Sequence, residues 1–94
     1  MTTSDILVIL KINLQLSVTA YDALLRKYID SAIEAIKREG ITLSESQPGW
    51  YSTEDAMLIE SYAAYLFRSR DQDKGMPRSL RYCLNNRLFS EKAR

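Results

Sequence analysis

The sequence predicts an all-α fold: a small bundle of three longer helices plus a short N-terminal helix and an extended arm. Three stretches place apolar residues at i, i+3, i+4 spacing, which is typical of amphipathic helices. Strict apolar-polar alternation is limited to Lys11–Val18. The chain has 94 residues, 46% of them hydrophobic, which suffices for one core and not for two. Residues 1–94 are therefore predicted to form a single domain.

The N-terminal segment combines two patterns. Asp5–Leu10 is apolar on all sides and follows Thr3 and Ser4, either of which can cap a helix. From Lys11 to Val18 apolar and polar residues alternate, as in a half-buried strand. Because the rest of the chain offers no partner strand, we expect a short helix followed by an extended arm that pairs with another chain.

The long second helix is predicted between a cap at Ser17 or Thr19 and a stop at Gly40, where glycine accepts the left-handed conformation. Its apolar residues fall on one stripe, and charged residues lie opposite. The stripe comprises Tyr21, Leu24, Leu25, Tyr28, Ile29, Ala32 and Ile36.

A connector over residues 41–51 contains the turn dipeptide Pro48-Gly49. Ser52, with Asp55 three residues later, then predicts a helix N-terminus. This third helix extends to about Arg70, and its apolar arc is wide enough to contact more than one neighbour. We therefore expect it at the centre of the fold.

The last helix is predicted over Pro77–Phe89, after a polar turn at residues 71–75. Leu80, Leu84 and Leu88 form its apolar stripe, while Tyr82 and Phe89 lie on another side. The polar tail over residues 90–94 is expected to fray.

The composition excludes most catalytic chemistry. The chain has no histidine, and its one cysteine, Cys83, is expected to be a buried helical thiol. The carboxylate pairs Glu54/Asp55 and Asp71/Asp73 are interpreted as helix N-terminal charge and a solvated turn. We therefore predict no enzyme, no catalytic residues, no metal and no cofactor. The apolar runs are also too short for a membrane span.

Charge is distributed unevenly along the chain. Residues 68–94 carry eight Lys or Arg and three acids, a net +5, whereas residues 1–67 carry five and nine, a net −4. The basic end could meet nucleic-acid phosphate, an acidic surface such as that of another copy, or only solvent. The candidate assembly interface consists of Arg68, Arg70, Arg78, Arg81, Arg87 and Lys92.

The run Met76–Lys92 resembles the head–tail connector proteins of tailed phages and prophages. Asp55–Arg70 is similar to the central helix of that family, and Asp22–Ile36 to its long amphipathic helix. The resemblance covers nearly the whole chain, except residues 13–18 and 41–51.

This resemblance implies a structural adaptor that assembles as a ring, dodecameric on the portal, beneath the portal of the filled capsid. It implies three partners besides other copies: the portal protein, a stopper or tail-proximal connector, and genomic DNA that passes the channel without specific contact. The expected location is the head–tail joint of the virion, and the host cytoplasm during assembly.

The alternative is a small DNA-binding phage regulator that uses Pro77–Phe89 as a recognition helix. The turn before this helix is longer than the three or four residues typical of helix-turn-helix motifs, which argues against it.

Overall fold

The computed structural model describes residues 1–70 and 75–92 and confirms the all-α prediction. Four helices are joined by one 3₁₀ turn, Thr19–Tyr21, and one two-stranded hairpin. The elements are α1 (Thr3–Asn13), α2 (Asp22–Arg38), β1 (Glu45–Gln47), β2 (Trp50–Tyr51), α3 (Thr53–Arg68) and α4 (Arg78–Lys92). The predicted turn at Asp71 and Asp73 lies outside the described residues.

Helix α1 begins one or two residues earlier than predicted. The cap is Thr2, not Thr3 or Ser4: its hydroxyl accepts a hydrogen bond from the Asp5 N–H at 3.2 Å. The Asp5 carboxylate accepts one from the Thr2 N–H at 3.0 Å, and this bond, with the hydroxyl contact, lowers the pKa of Asp5. The reciprocal pair is a capping box with aspartate at its third position.

The extended arm predicted at Lys11–Val18 is wrong. Helix α1 continues to Asn13, and the chain then turns at Gln15, whose φ of 59° is left-handed. Lys11 binds Asp22 at 2.9 Å, which fastens the end of α1 to the start of α2. Ile12 is 72% exposed, so the alternating pattern combines an outward-facing helical residue with the turn residues that follow it.

Helices α2 and α3 pack against each other and supply much of the core. Among the described residues no side chain caps α2, so the predicted caps at Ser17 and Thr19 are wrong, and the 3₁₀ turn leads directly into the helix. The predicted apolar stripe is largely confirmed. Its buried members are Leu25, Ile29, Ala32 and Ile36, and Ile33, which the predicted stripe did not include, is buried as well.

Helix α3 contacts α1, α2 and α4, which confirms its predicted central position. The Ser52 hydroxyl caps it by accepting from the Asp55 N–H at 3.2 Å, as predicted. Phe67 forms T-shaped ring pairs with Tyr21 and Tyr28 at centroid distances of 5.9 and 6.3 Å. A wide apolar arc therefore serves several neighbours at once.

The connector forms a hairpin that the sequence did not predict beyond its turn. Gly49 has a φ of 82° at this turn, and its N–H donates to the Glu45 carboxylate at 3.1 Å. Met1 pairs with Tyr51 through both backbone groups: the Tyr51 N–H donates to the Met1 carbonyl at 2.7 Å, and the Met1 amine to the Tyr51 carbonyl at 2.6 Å. The hairpin thus holds the N-terminus.

Helix α4 starts at Arg78, one residue after the predicted start, and buries Leu80 and Leu84 as predicted. It runs to Lys92 rather than ending at Phe89, so the predicted fraying is wrong for residues 90–92. The Glu91 carboxylate accepts a hydrogen bond from the Thr42 N–H at 3.3 Å, which gives the last turn a partner.

Gly40 ends α2 with a φ of 99°, and a Cβ there would lie 3.4 Å from Leu88 of α4. We expect Gly40→Ala to lower the free energy of unfolding by about 1–2 kcal/mol, because the left-handed conformation strains any side chain. Gly75→Ala is the control, since its φ lies outside the left-handed region and its Cβ would meet no described atom within 4 Å. Urea denaturation measures both. Equal stability of the two variants would contradict the prediction.

Candidate functional site

A groove of about 820 Å³ lies between α3 and α4. Asn13 at the end of α1 lines one edge of the groove, and Gly75 and Pro77 line another. From α3 the lining includes Glu54, Met57, Leu58, Ser61, Ala64, Tyr65 and Arg68, and from α4 it includes Ser79, Leu80, Cys83, Asn86 and Arg87. We call this feature the α3–α4 groove.

The floor of the α3–α4 groove is apolar and its rim is polar. Leu58, Ala64 and Leu80 are buried there, while Met57 is 37% exposed. Small side chains on both walls, among them Ser61 and Cys83, leave the space between the helices open. An apolar floor within a polar rim is typical of a site that binds a ligand or a protein segment.

A buried ion pair fixes the α4 wall of the groove. Asp55 is only 2% exposed, and its carboxylate binds Arg87 of α4 at 2.6 Å. The same carboxylate accepts the Ser44 N–H at 2.6 Å, and Arg87 also donates to the Thr42 carbonyl at 3.4 Å. Asp55 lies in the first turn of α3, which confirms its interpretation as helix N-terminal charge, and its buried carboxylate also joins α3, the connector and α4.

The structure does not gather the five predicted interface residues whose side chains it describes into one patch. Arg68 and Arg87 line the groove, whereas Arg81 binds Glu39 of the α2 C-terminus at 3.0 Å. Arg70 lies over the Phe67 ring at 3.8 Å, and Arg78 is exposed at the start of α4. The side chain of Lys92 lies outside the described residues.

Cys83 is exposed in the groove wall, so the predicted buried thiol is wrong. Helical spacing shows that Cys83 lies beside the leucine stripe of α4. It does not show that the neighbouring helices cover only part of α4 and leave the thiol exposed. On α3, burial and then the charge of Glu39 raise the pKa of the Tyr62 phenol.

The exposed aromatic residues of α4 are Tyr82 and Phe89, at 68% and 76% exposure. Sequence reasoning placed them on a separate stripe but did not include them among the candidate interface residues. The signal was present: two large aromatic residues seven positions apart, away from the leucine stripe, mark an uncovered face. Met57 and Ser61 were missed because the groove becomes visible only when α4 is placed.

The part of the chain that the structure describes contains no candidate metal-binding cluster and no candidate membrane-spanning helix. No group of three or more His, Cys, Asp or Glu residues within residues 1–70 and 75–92 is arranged to hold a metal ion. Over the same residues, no helix combines the length and apolar character needed to cross a membrane.

Comparison of the chain with protein-family models, curated proteins and solved structures finds no match. The resemblance to head–tail connectors therefore remains a prediction from the sequence.

Arg87→Met removes the partner of the buried Asp55 carboxylate while retaining most of the side-chain volume. We expect the free energy of unfolding to fall by about 3 kcal/mol, because an uncompensated buried charge is left behind. The control is Arg81→Met, which breaks a half-exposed ion pair and should cost less than about 1 kcal/mol. Urea titration compares the two, and similar losses would show that the Asp55 pair does not hold α4.

Proposed function

We propose that the protein is a structural adaptor that assembles as a ring under a phage portal, extends the DNA channel and docks the next head–tail joining protein. It acts through its surfaces and catalyses no reaction. The observation that carries the proposal is the α3–α4 groove, an open apolar-floored site on a domain whose α4 also exposes Tyr82 and Phe89.

Exposed apolar side chains occur on several sides of the domain. Val8 and Ile12 lie on α1, Trp50 on the hairpin, and Tyr82 and Phe89 on α4. Large exposed apolar groups in separate places favour several protein contacts over one ligand pocket. A ring subunit needs such an arrangement, because it touches two neighbouring copies and the components above and below the ring.

The charge split also supports contacts between copies. Exposed acids of the first three helices include Asp30, Glu34 and Glu54, and the exposed bases of the last 27 residues include Arg68 and Arg78. Opposite charges on different parts of one subunit favour head-to-tail contacts between copies. Rim charges of this kind chiefly set the register and the rate of encounter.

The DNA-binding alternative has less support. Arg81 and Arg87, two of the basic residues of α4, already bind the carboxylates of Glu39 and Asp55. A recognition helix would need such cations for phosphate and base contacts. On its exposed side, Arg78 is accompanied by the aromatic residues Tyr82 and Phe89.

The adaptor proposal predicts concentration-dependent assembly into a closed ring, in solution or on the portal protein encoded in the same genome. Native mass spectrometry and light scattering over a concentration series measure the oligomer, and a pull-down measures portal binding. A chain that stays monomeric and also ignores the portal would overturn the proposal.

A gel-shift series in increasing salt separates the adaptor from the regulator. We expect only weak, sequence-independent retention of duplex DNA, because Arg81 and Arg87 of α4 are engaged within the subunit. A specific complex whose affinity falls steeply with salt would favour the regulator instead.

A further inference from the structure

We infer that the α3–α4 groove of one copy receives the outer face of α4 from a neighbouring copy. We define this outer face by Arg78, Tyr82, Asn85 and Phe89. The inference rests on the proposed assembly of identical subunits and names the two surfaces that meet.

The outer face of α4 has the form of a docking element. Its four residues follow i, i+4, i+7, i+11 spacing and are all exposed. Helices that dock into grooves present anchors at such spacing, and tyrosine is enriched among the residues that dominate interface energies. Tyr82 and Phe89 are the natural anchors, about 10 Å apart along the helix.

The α3–α4 groove matches this element in length. Glu54 and Tyr65 in its lining are eleven residues apart on α3, and Arg78 and Phe89 are eleven residues apart on α4. Both pairs therefore span about 16 Å. When the incoming α4 runs parallel to α3, Phe89 meets Tyr65 at the same time as Arg78 meets Glu54.

The charges at the two ends of the groove favour the parallel orientation of the incoming α4 relative to α3. In the parallel orientation the guanidinium of Arg78 approaches the carboxylate of Glu54, and Phe89 approaches an aromatic ring that it can meet edge to face. In the opposite orientation Arg78 approaches Arg68 at the far end of the groove. Like charges at that point disfavour the second arrangement.

The groove and the outer face lie on different sides of α4. Ser79, Cys83 and Asn86 line the groove, while the residues of the outer face do not. One subunit can therefore offer its outer face to one neighbour and its groove to the next. Such a head-to-tail contact closes into a ring when its rotation permits.

The outer side of α1 is a weaker candidate for the occupant. Its exposed residues Val8 and Ile12 are aliphatic. Valine is under-represented among the residues that dominate interface energies. A substitution on this helix therefore makes a matched control for the loss of exposed apolar surface.

Two assembly-blocking variants test the inference. Tyr82→Ser with Phe89→Ser removes the anchors, and Ser61→Arg obstructs the groove, all at exposed positions. Each variant alone should be monomeric by native mass spectrometry. An equimolar mixture should give a one-to-one heterodimer and nothing larger, because only one intact groove and one intact outer face remain. Val8→Ser with Ile12→Ser should assemble like the wild type.

The sole cysteine reports which copy is occupied. Because Cys83 lies in the groove wall, its maleimide labelling in the mixture should slow at least tenfold in the copy that carries Tyr82→Ser and Phe89→Ser. The copy with Ser61→Arg should label at the monomer rate. The mass difference between the two copies separates the signals.

A charge swap tests the direction. Glu54→Arg and Arg78→Glu should each raise the concentration for half-assembly about fivefold, and their combination should restore it.

If assembly is unaffected by the anchor and groove variants, or is lost on substitution of Val8 and Ile12, the inference is overturned while the adaptor proposal stands. A wild type that is monomeric in solution overturns the inference too, and failure to bind the portal as well overturns the proposed function.

Discussion

The position of α4, and with it the α3–α4 groove, depends on the buried pair of Asp55 and Arg87. A carboxylate that is 2% exposed must be neutralised and hydrogen-bonded, and Arg87 and the Ser44 N–H meet this requirement at 2.6 Å each. Because these partners come from α4 and the connector, the first turn of α3 determines where both segments lie. The pair fixes geometry more than it adds stability, since a buried ion pair gains little over a well-packed apolar one.

The α3–α4 groove exists because α4 contacts the rest of the subunit more closely on one side than on the side that faces the middle of α3. The polar contacts of α4 to Glu39, Asp55 and Thr42 lead towards the C-terminal end of α2, the start of α3 and the connector. The side that faces the middle of α3 carries small groups, Ser79 and Cys83, opposite Ser61. Small side chains on both helices cannot fill the space between them, so apolar floor stays accessible. The energy gained by covering it is available to a partner.

Periodicity predicted what depends on local spacing, and it did not predict what depends on distant partners. The stripes of α2 and α4, the stop at Gly40 and the cap at Ser52 are confirmed, because each is encoded within a few residues. Lys11–Val18 misled because a helix end followed by a turn can mimic a period of two over eight residues. The ion pair of Asp55 was not predicted, because its partner Arg87 lies 32 positions away along the chain. The groove and the exposure of Cys83 were not predicted either, because both depend on how α4 packs against residues distant in the sequence.

The charges available to partner subunits are those that remain after ion pairs within the subunit are subtracted from the total. Arg81 and Arg87 are engaged within the subunit, so the +5 of the last 27 residues overstates the charge offered to partners. What remains at the groove and the outer face is a small complementary set: Glu54 and Arg68 at opposite ends of one surface, and Arg78 at one end of the other. Three charges are enough to distinguish two orientations of a helix in a groove. In an open head-to-tail chain the terminal copies would still expose an empty groove and an uncovered pair of aromatic residues, and only ring closure buries both in every copy.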